Sequence, residues 1–250
     1  MRRWTAAAAA AIGLLGMIVP GGSAQAQADV ALVYRLLQDG QMVVIPASGA
    51  ERRAQLGERL RHRDLVATSA TTRAALRFTD DGSILRLNPS SQVRLLAGED
   101  GSPVVRTLQL EFGEVWARVN RRGGAEFRVE TPAGVAAVKG TELLVRVDSQ
   151  GVTTVITLEG VVEFFNQAGR TELTAGRKTR AESQADAPEA EAATPEELRE
   201  AAEVGGGDGE GTAEEGAWIE VQVQDAAGRT RTLMIQVPRD ALRTRLEGRP

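Results

Sequence analysis

The chain contains no cysteine, which removes disulfides, thiolate metal ligands and cysteine nucleophiles from consideration together. Its single histidine, His62, leaves no material for a histidine-built metal site. Aromatic residues make up 4% of the total, so a core has to be assembled from Val, Leu, Ile and Ala. Lysine occurs only at Lys139 and Lys178, and arginine carries the remaining positive charge. Beyond Val19 no apolar run is long enough to span a bilayer.

What is present is an ordinary globular composition, 42% hydrophobic and 26% charged over 250 residues, enough for one core with appendages. The beginning has the three-part layout of a secretory signal. Arg2 and Arg3 are followed by an apolar run from Trp4 to Val19, a break at Pro20 and Gly21-Gly22, and small residues at Ala24, Ala26 and Ala28. Cleavage is expected after Ala26 or Ala28, placing the mature protein in the periplasm or outside the cell. Retention of the run as an anchor is the alternative. Removing 28 residues takes away two of the 30 basic residues and none of the 34 acidic ones, leaving a net charge of −6. A chain exported without disulfides needs a core large enough to hold itself together.

Charge is unevenly distributed. Glu182 to Gly216 carries 12 acidic residues against one basic residue, Arg199, whereas residues 29–181 carry 21 basic and 18 acidic. The acidic stretch is rich in Ala, Gly and Glu, with too little apolar surface to offset the cost of ordering it. It reads as a solvated linker with one short helix from Pro195 to Val204, capped by Thr194 and favoured by Glu196-Glu197 at its positive end. The same stretch could bind a basic partner, the body of its own chain included.

The body alternates apolar and polar residues in short runs bounded by Gly, Pro, Asp or Asn, which is the pattern of β-strands. Ala74 to Phe78 and Leu85 to Leu87 flank Asp80-Asp81-Gly82-Ser83, a hairpin turn. Leu108 to Phe112 is followed by Val115 to Val119 after a break at Gly113-Glu114, and Phe127 to Thr131 ends at Pro132. Ala50 to Arg63 is charged and interrupted by Gly57, and reads as loop and strand. Past the acidic stretch, Trp218 to Val223 and Thr232 to Val237 flank Asp225-Ala226-Ala227-Gly228 as a second hairpin. An isolated hairpin is marginal in water, so this one has to dock on something. The expected division is a signal peptide at 1–28, a β domain at 29–181, a linker at 182–216 and a hairpin with tail at 217–250. The fold class is all-β, a twisted solenoid-like stack of short strands.

The turns come in a definite order. Asp64-x-Val66-x-Thr68 precedes Ala74-x-Leu76-x-Phe78-x-Asp80-Asp81-Gly82-Ser83, then Leu85-x-Leu87-x-Pro89-x-Ser91-x-Val93 and Leu110-x-x-Gly113-x-Val115. Phe127-x-Val129-x-Thr131-Pro132, Val138-Lys139-Gly140-Thr141-Glu142 and Leu158-Glu159-Gly160-Val161 complete the series. This set resembles the FecR domain of bacterial cell-surface signalling regulators, over about residues 30–180. The resemblance implies a β domain that serves protein–protein or ligand-linked signalling and has no known catalytic role. It marks Asp80, Gly82, Ser83, Thr131, Pro132, Lys139, Gly140, Thr141, Glu142, Glu159 and Gly160 as structural motif positions. Two positions depart from the family tendency: Arg63 stands where Gly commonly precedes the first Asp, and Leu143 stands where an aromatic follows Gly-Thr-Glu. Only Met1 to Arg3 precede the apolar run, so the expectation is that this chain does not itself reach a cytoplasmic sigma factor.

Catalytic chemistry finds little support. Ser90, Ser91 and His62 could be written as a triad, but no nucleophile elbow or oxyanion motif accompanies them, and His62 lies between Arg61 and Arg63. Asp80-Asp81-Gly82-Ser83 lacks the repeated oxygen ligands of a calcium loop. The Gly205–Gly211 run lacks a following Lys and would repel a phosphate. No catalytic residue, cofactor or metal is expected. Nor is nucleic acid, given a pI near 5.3, or a membrane span once the signal is cleaved. The expected role is a binding, scaffold or signalling module with an envelope protein as partner. An extracellular carbohydrate or envelope-polymer binder is the alternative, disfavoured by the scarcity of Trp and Tyr.

Overall fold

The computed structural model describes residues 29–37, 41–47, 49–96, 106–121, 126–206, 216–224 and 230–238. The expected signal segment lies outside them. The first strands are β1 (Asp29–Leu37), β2 (Met42–Ile45), β3 (Arg52–Arg53), β4 (Arg59–Arg61), β5 (Leu65–Thr68) and β6 (Arg73–Phe78). They are followed by β7 (Ile84–Leu87), β8 (Gln92–Leu96), the long β9 (Arg106–Arg118), β10 (Phe127–Thr131) and β11 (Gly134–Val138). Next come β12 (Glu142–Val147), β13 (Thr153–Glu159), β14 (Val161–Phe165), β15 (Arg170–Thr174), β16 (Arg177–Ala181) and β17 (Glu191–Ala192). The single described helix is α1 (Pro195–Gly206), and β18 (Gly216–Gln224) and β19 (Thr230–Pro238) close the chain. The protein is all-β, as expected.

The pairings sort the strands into two sheets. The first runs β4-β1-β6-β7-β9-β12-β13-β16-β17, and the second runs β3-β2-β5-β8-β9-β10-β11-β14-β15. All of these pairs are antiparallel except β9 with β10. From β10 onward the chain adds hairpins alternately: β10–β11 to the second sheet, β12–β13 to the first, β14–β15 to the second and β16–β17 to the first. That alternation is the solenoid-like progression. Period-two patterning turns one face of each sheet inward. Leu76, Phe78, Leu85, Val115 and Val145 from the first sheet meet Val44, Val93, Leu95, Leu108 and Val129 from the second in one continuous buried core. At ~1.5–3 kcal/mol for each fully buried aliphatic or phenyl side chain, this face dominates the fold's stability.

β9 belongs to both sheets. Residues up to Phe112 pair with β8, and Gly113 to Arg118 pair with β12. Its alternation suggests two strands broken at Gly113-Glu114; the structure has one strand that bends there, at a Gly113 φ of 99°.

The described part of the acidic stretch, residues 182–206, differs from the solvated linker expected of it. Residues 182–206 lie against the body. Asn166 Nδ2 donates to the Asp186 carbonyl at 2.6 Å and Gln184 Nε2 to the Pro132 carbonyl at 3.0 Å, and β17 extends the first sheet. The expected helix forms and runs two residues further, to Gly206. Thr194 and Glu197 make a reciprocal capping box: the Glu197 amide donates to Thr194 Oγ1 at 3.2 Å and the Thr194 amide to Glu197 Oε2 at 2.8 Å. The apolar content is thin but it is placed on one side. Leu198, Ala201 and Val204 pack with Ala193 onto Trp116, Leu144 and Ile156, which point outward from the first sheet. Gly205 sits directly on the Trp116 indole, where a Cβ would come within 2.8 Å of Cζ2. Lys178 Nζ binds Glu197 at 2.7 Å, and Arg86 Nη1 donates to the Val204 carbonyl at 3.2 Å in the last turn, which has no basic residue of its own.

Candidate interaction surface

Most of the motif positions are engaged within the fold. In the β6–β7 turn, Asp81 accepts from the Ser83 amide at 2.8 Å, from Ser83 Oγ at 2.7 Å and from Arg106 Nη2 at 2.7 Å. Ser83 Oγ in turn accepts from the Asn120 amide at 3.0 Å. Arg106 is 2% exposed and sits beside the edge-to-face Phe78–Phe127 pair, 5.4 and 5.6 Å from the two ring centroids, within reach of a cation–π attraction. Burial pushes the Asp80 carboxyl above its ordinary 3.8, with Asp81 adding to the rise and Arg106 opposing it. The carboxylates of this turn face an arginine that is part of the chain. Among the described residues no cluster of three or more His, Asp or Glu could hold a metal ion.

Thr131 and Pro132 form the β10–β11 turn. Thr131 Oγ1 donates to the Gly134 carbonyl at 2.8 Å, and the Pro132 carbonyl receives Gln184. Lys139 to Glu142 cross from the second sheet to the first, and Glu159-Gly160 cross back. The two crossings touch: Thr141 Oγ1 donates to the Val161 carbonyl at 3.0 Å, and Gly160 has a φ of 81° with its missing Cβ 2.8 Å from the Gly140 carbonyl. A side chain at Gly160 would separate them. Lys139 is exposed, and Glu142 pairs with Arg118 at 3.1 Å. Ser91 Oγ donates to the Glu114 carbonyl at 3.0 Å and accepts its amide at 2.9 Å, so this hydroxyl fastens the start of β8 to the bend of β9.

The bend itself makes a feature that sequence reasoning missed. An open cleft of about 690 Å³ lies beside it, lined by Pro89, Ser90, Phe112, Glu114, Arg146 and Val147 among others. Phe112 is 42% exposed there. Leu108, Leu110 and Phe112 alternate in the sequence, but the irregularity opposite Gln92 and Val93 shifts the register and turns Phe112 out. Glu114 is held by Arg146 at 2.5 Å and by Asn88 Nδ2. Phe112 and Pro89 give the cleft its apolar surface, and Glu111, Asp148 and the Glu114–Arg146 pair line it with charge.

A family model described as FecR protein matches residues 64–163, from Asp64 before β5 to Glu163 in β14. This segment is a FecR domain. The bend, the cleft and both crossings lie inside it. The FecR domain supports a signalling or regulatory role. Two crystal structures of a protein assigned as an anti-sigma factor from Parabacteroides distasonis ATCC 8503 are similar to the chain at a TM-score of 0.47, with 17% and 18% identity. The similarity covers 54% of this chain and 62% of that one, less than two thirds of its length. No curated protein matches the chain. Around the FecR domain, β1–β4 extend the two sheets on one side and β15–β17 on the other.

Proposed function

We propose that the protein is an exported, non-enzymatic FecR-domain module that binds a protein partner in the bacterial cell envelope and contributes to signalling through that contact. The observation that carries this reading is the half-exposed Phe112 in an open cleft of the FecR domain, beside the Glu114 carboxylate, which is paired with Arg146 of the same chain. Non-catalytic contact is supported because the serine and aspartate side chains that could be enlisted for chemistry are bonded to backbone or to arginine. Export is supported by the layout of the first 28 residues.

The test is photo-crosslinking in cells with a benzophenone amino acid placed at Phe112. Val161, exposed on the second sheet, serves as the comparison position. The expected result is a protein adduct at 112 that is absent or much weaker at 161. Adducts to cell-wall polymer in place of protein would overturn the reading. Sequencing the mature N-terminus tests the export step separately; a retained Met1 would mean an anchor instead of a cleaved signal.

A further inference from the structure

The outer face of the first sheet carries a second apolar patch. Along β1, Ala31 and Val33 point into the core and Leu32 between them points out, opposite Arg77 of β6. Along β6, Ala74 and Leu76 point in and Ala75 points out, flanked by Arg35 of β1 on one side and Arg86 of β7 on the other. Arg73 and Arg77 stand two residues to either side of Ala75 on the same face, so four arginines ring one alanine. Leu32 is 0% exposed and Ala75 is 5% exposed. Both lie outside the sandwich core and outside the α1 cluster. The Nε atoms of Arg73 and Arg77 are buried as well. An outward leucine on an open sheet face keeps part of its surface in water unless something covers it. This burial is that of a single chain, so the cover comes from the chain itself.

One segment has the shape for it. In the β18–β19 hairpin the register pairs Ala217 with Val237, Ile219 with Ile235 and Val221 with Leu233, which places these residues on one face. Trp218 with Gln236, Glu220 with Met234 and Gln222 with Thr232 fall on the other. The first face is wholly aliphatic, and a two-stranded ribbon is marginal in water without something to pack on. Position agrees. α1 ends with Val204 held by Arg86 and Gly205 on Trp116, at the border of the patch. Ten peptide steps from Gly206 to Gly216 reach up to ~35 Å, whereas the two or three strand spacings from β9 to β1 amount to ~10–15 Å.

We propose that the β18–β19 hairpin docks in cis on the outer face of the first sheet, its aliphatic face over Leu32 and Ala75 within the ring formed by Arg35, Arg73, Arg77 and Arg86. With α1 beside it, the hairpin makes a third layer over that face. The outer face of the second sheet and the cleft at Phe112 are then the surfaces left for a partner.

The absence of cysteine makes the test clean. Ala75→Cys is combined, one at a time, with Ile219→Cys, Val221→Cys, Leu233→Cys or Ile235→Cys in the full mature chain, and each protein is treated with a short bismaleimide. The expected result is an intrachain crosslink with at least one of these four. Control pairs with Glu220→Cys or Gln222→Cys should crosslink at least ~tenfold less, as follows for groups on the far face of a docked ribbon. Intermolecular crosslinks would show that a second copy covers the patch, and no crosslink at any of the four would show that the hairpin is elsewhere; either overturns the proposal. A second measurement does not depend on crosslinker reach. Leu32→Asp should lower hydrogen-exchange protection of β18 and β19 at least ~tenfold while the core strands β12 and β13 keep theirs, because a charge under the ribbon opens it locally. Unchanged protection in the ribbon would also sink the idea.

Discussion

Replacing Gly113 by alanine tests whether the bend in β9 holds the two sheets together. Two costs arise at once. The φ of 99° is left-handed backbone, and a Cβ there would fall on the Ser91 Cα, 2.5 Å from Ser91 Oγ and 2.7 Å from the Ser90 carbonyl oxygen. Those atoms cannot swing aside as a long side chain would, because Ser91 is bonded to Glu114 on both its donor and acceptor sides and Ser90 is itself at a φ of 55°. Left-handed strain is worth ~1–2 kcal/mol, and forced displacement of packed atoms ~1–3 kcal/mol. Stiffening of the unfolded chain returns ~0.4–1 kcal/mol. The net is a loss of ~2–4 kcal/mol, or a fall in Tm of ~5–15 °C at ~2–4 °C per kcal/mol for a domain of this size. Gly57→Ala separates the two costs. Gly57 has a φ of 78° with nothing within 4 Å of its missing Cβ, so it meets the strain alone and should fall by ~1–4 °C. Both variants are melted by circular dichroism in the mature chain. A Gly113→Ala chain no less stable than Gly57→Ala would refute the close approach and the role assigned to the bend.

Two further outcomes follow from the charged groups. Arg106→Met leaves Asp81 buried without its cation and should lower stability by ~3–5 kcal/mol in urea unfolding; adding Asp81→Asn should recover at least half of that, and a purely additive pair would contradict the assigned ion pair. The hydrogen bond from Lys178 holds the Glu197 carboxyl below its ordinary 4.5, helped by the Thr194 amide. Because the folded value is depressed, the stabilisation is complete above pH 4.5 and is lost as the pH falls through the lower value. In a mature Trp218→Phe chain the Trp116 emission should therefore shift to the red on acidification as α1 loosens, and Lys178→Met should flatten that step.

The strands were legible because each inward face alternates cleanly, as in Leu85-Arg86-Leu87 or Val93-Arg94-Leu95, and because the turns carry Asp-Gly, Thr-Pro and Gly-Thr signals. Which sheet each strand joins was not. Alternation states that a side chain faces a core, and both sheets face the same one. The bend at Gly113 reads as a break, since a Gly between two alternating runs is as compatible with a loop as with a strand that changes sheet. Phe112 alternates with Leu108 and Leu110 yet lies outside the core, because a one-residue bulge reverses which face a residue occupies. The docking of α1 was obscured by composition: four acidic residues in a short helix look solvated, whereas Leu198, Ala201 and Val204 at helical spacing were the cue that one side is covered. Arg63, noted as standing where glycine is usual, does adopt a φ of 69°. There the pattern of the turn predicted backbone geometry even though the residue type did not.

The sharing of β9 has a consequence for how errors in folding are corrected. In an ordinary two-sheet protein a strand can pair one residue out of step in its own sheet while the other sheet forms normally. Here Leu108 and Leu110 set the phase of the second sheet while Val115 and Ala117, on the same continuous strand, set the phase of the first. A one-residue slip against β8 that is not taken up at Gly113 would turn Val115 and Ala117 away from the core as well. The mispaired state thus forfeits two hydrophobic faces instead of one. A single strand acts as the common reference for both sheets, and a chain with few aromatics and no disulfides gains its fidelity of register from that shared ruler.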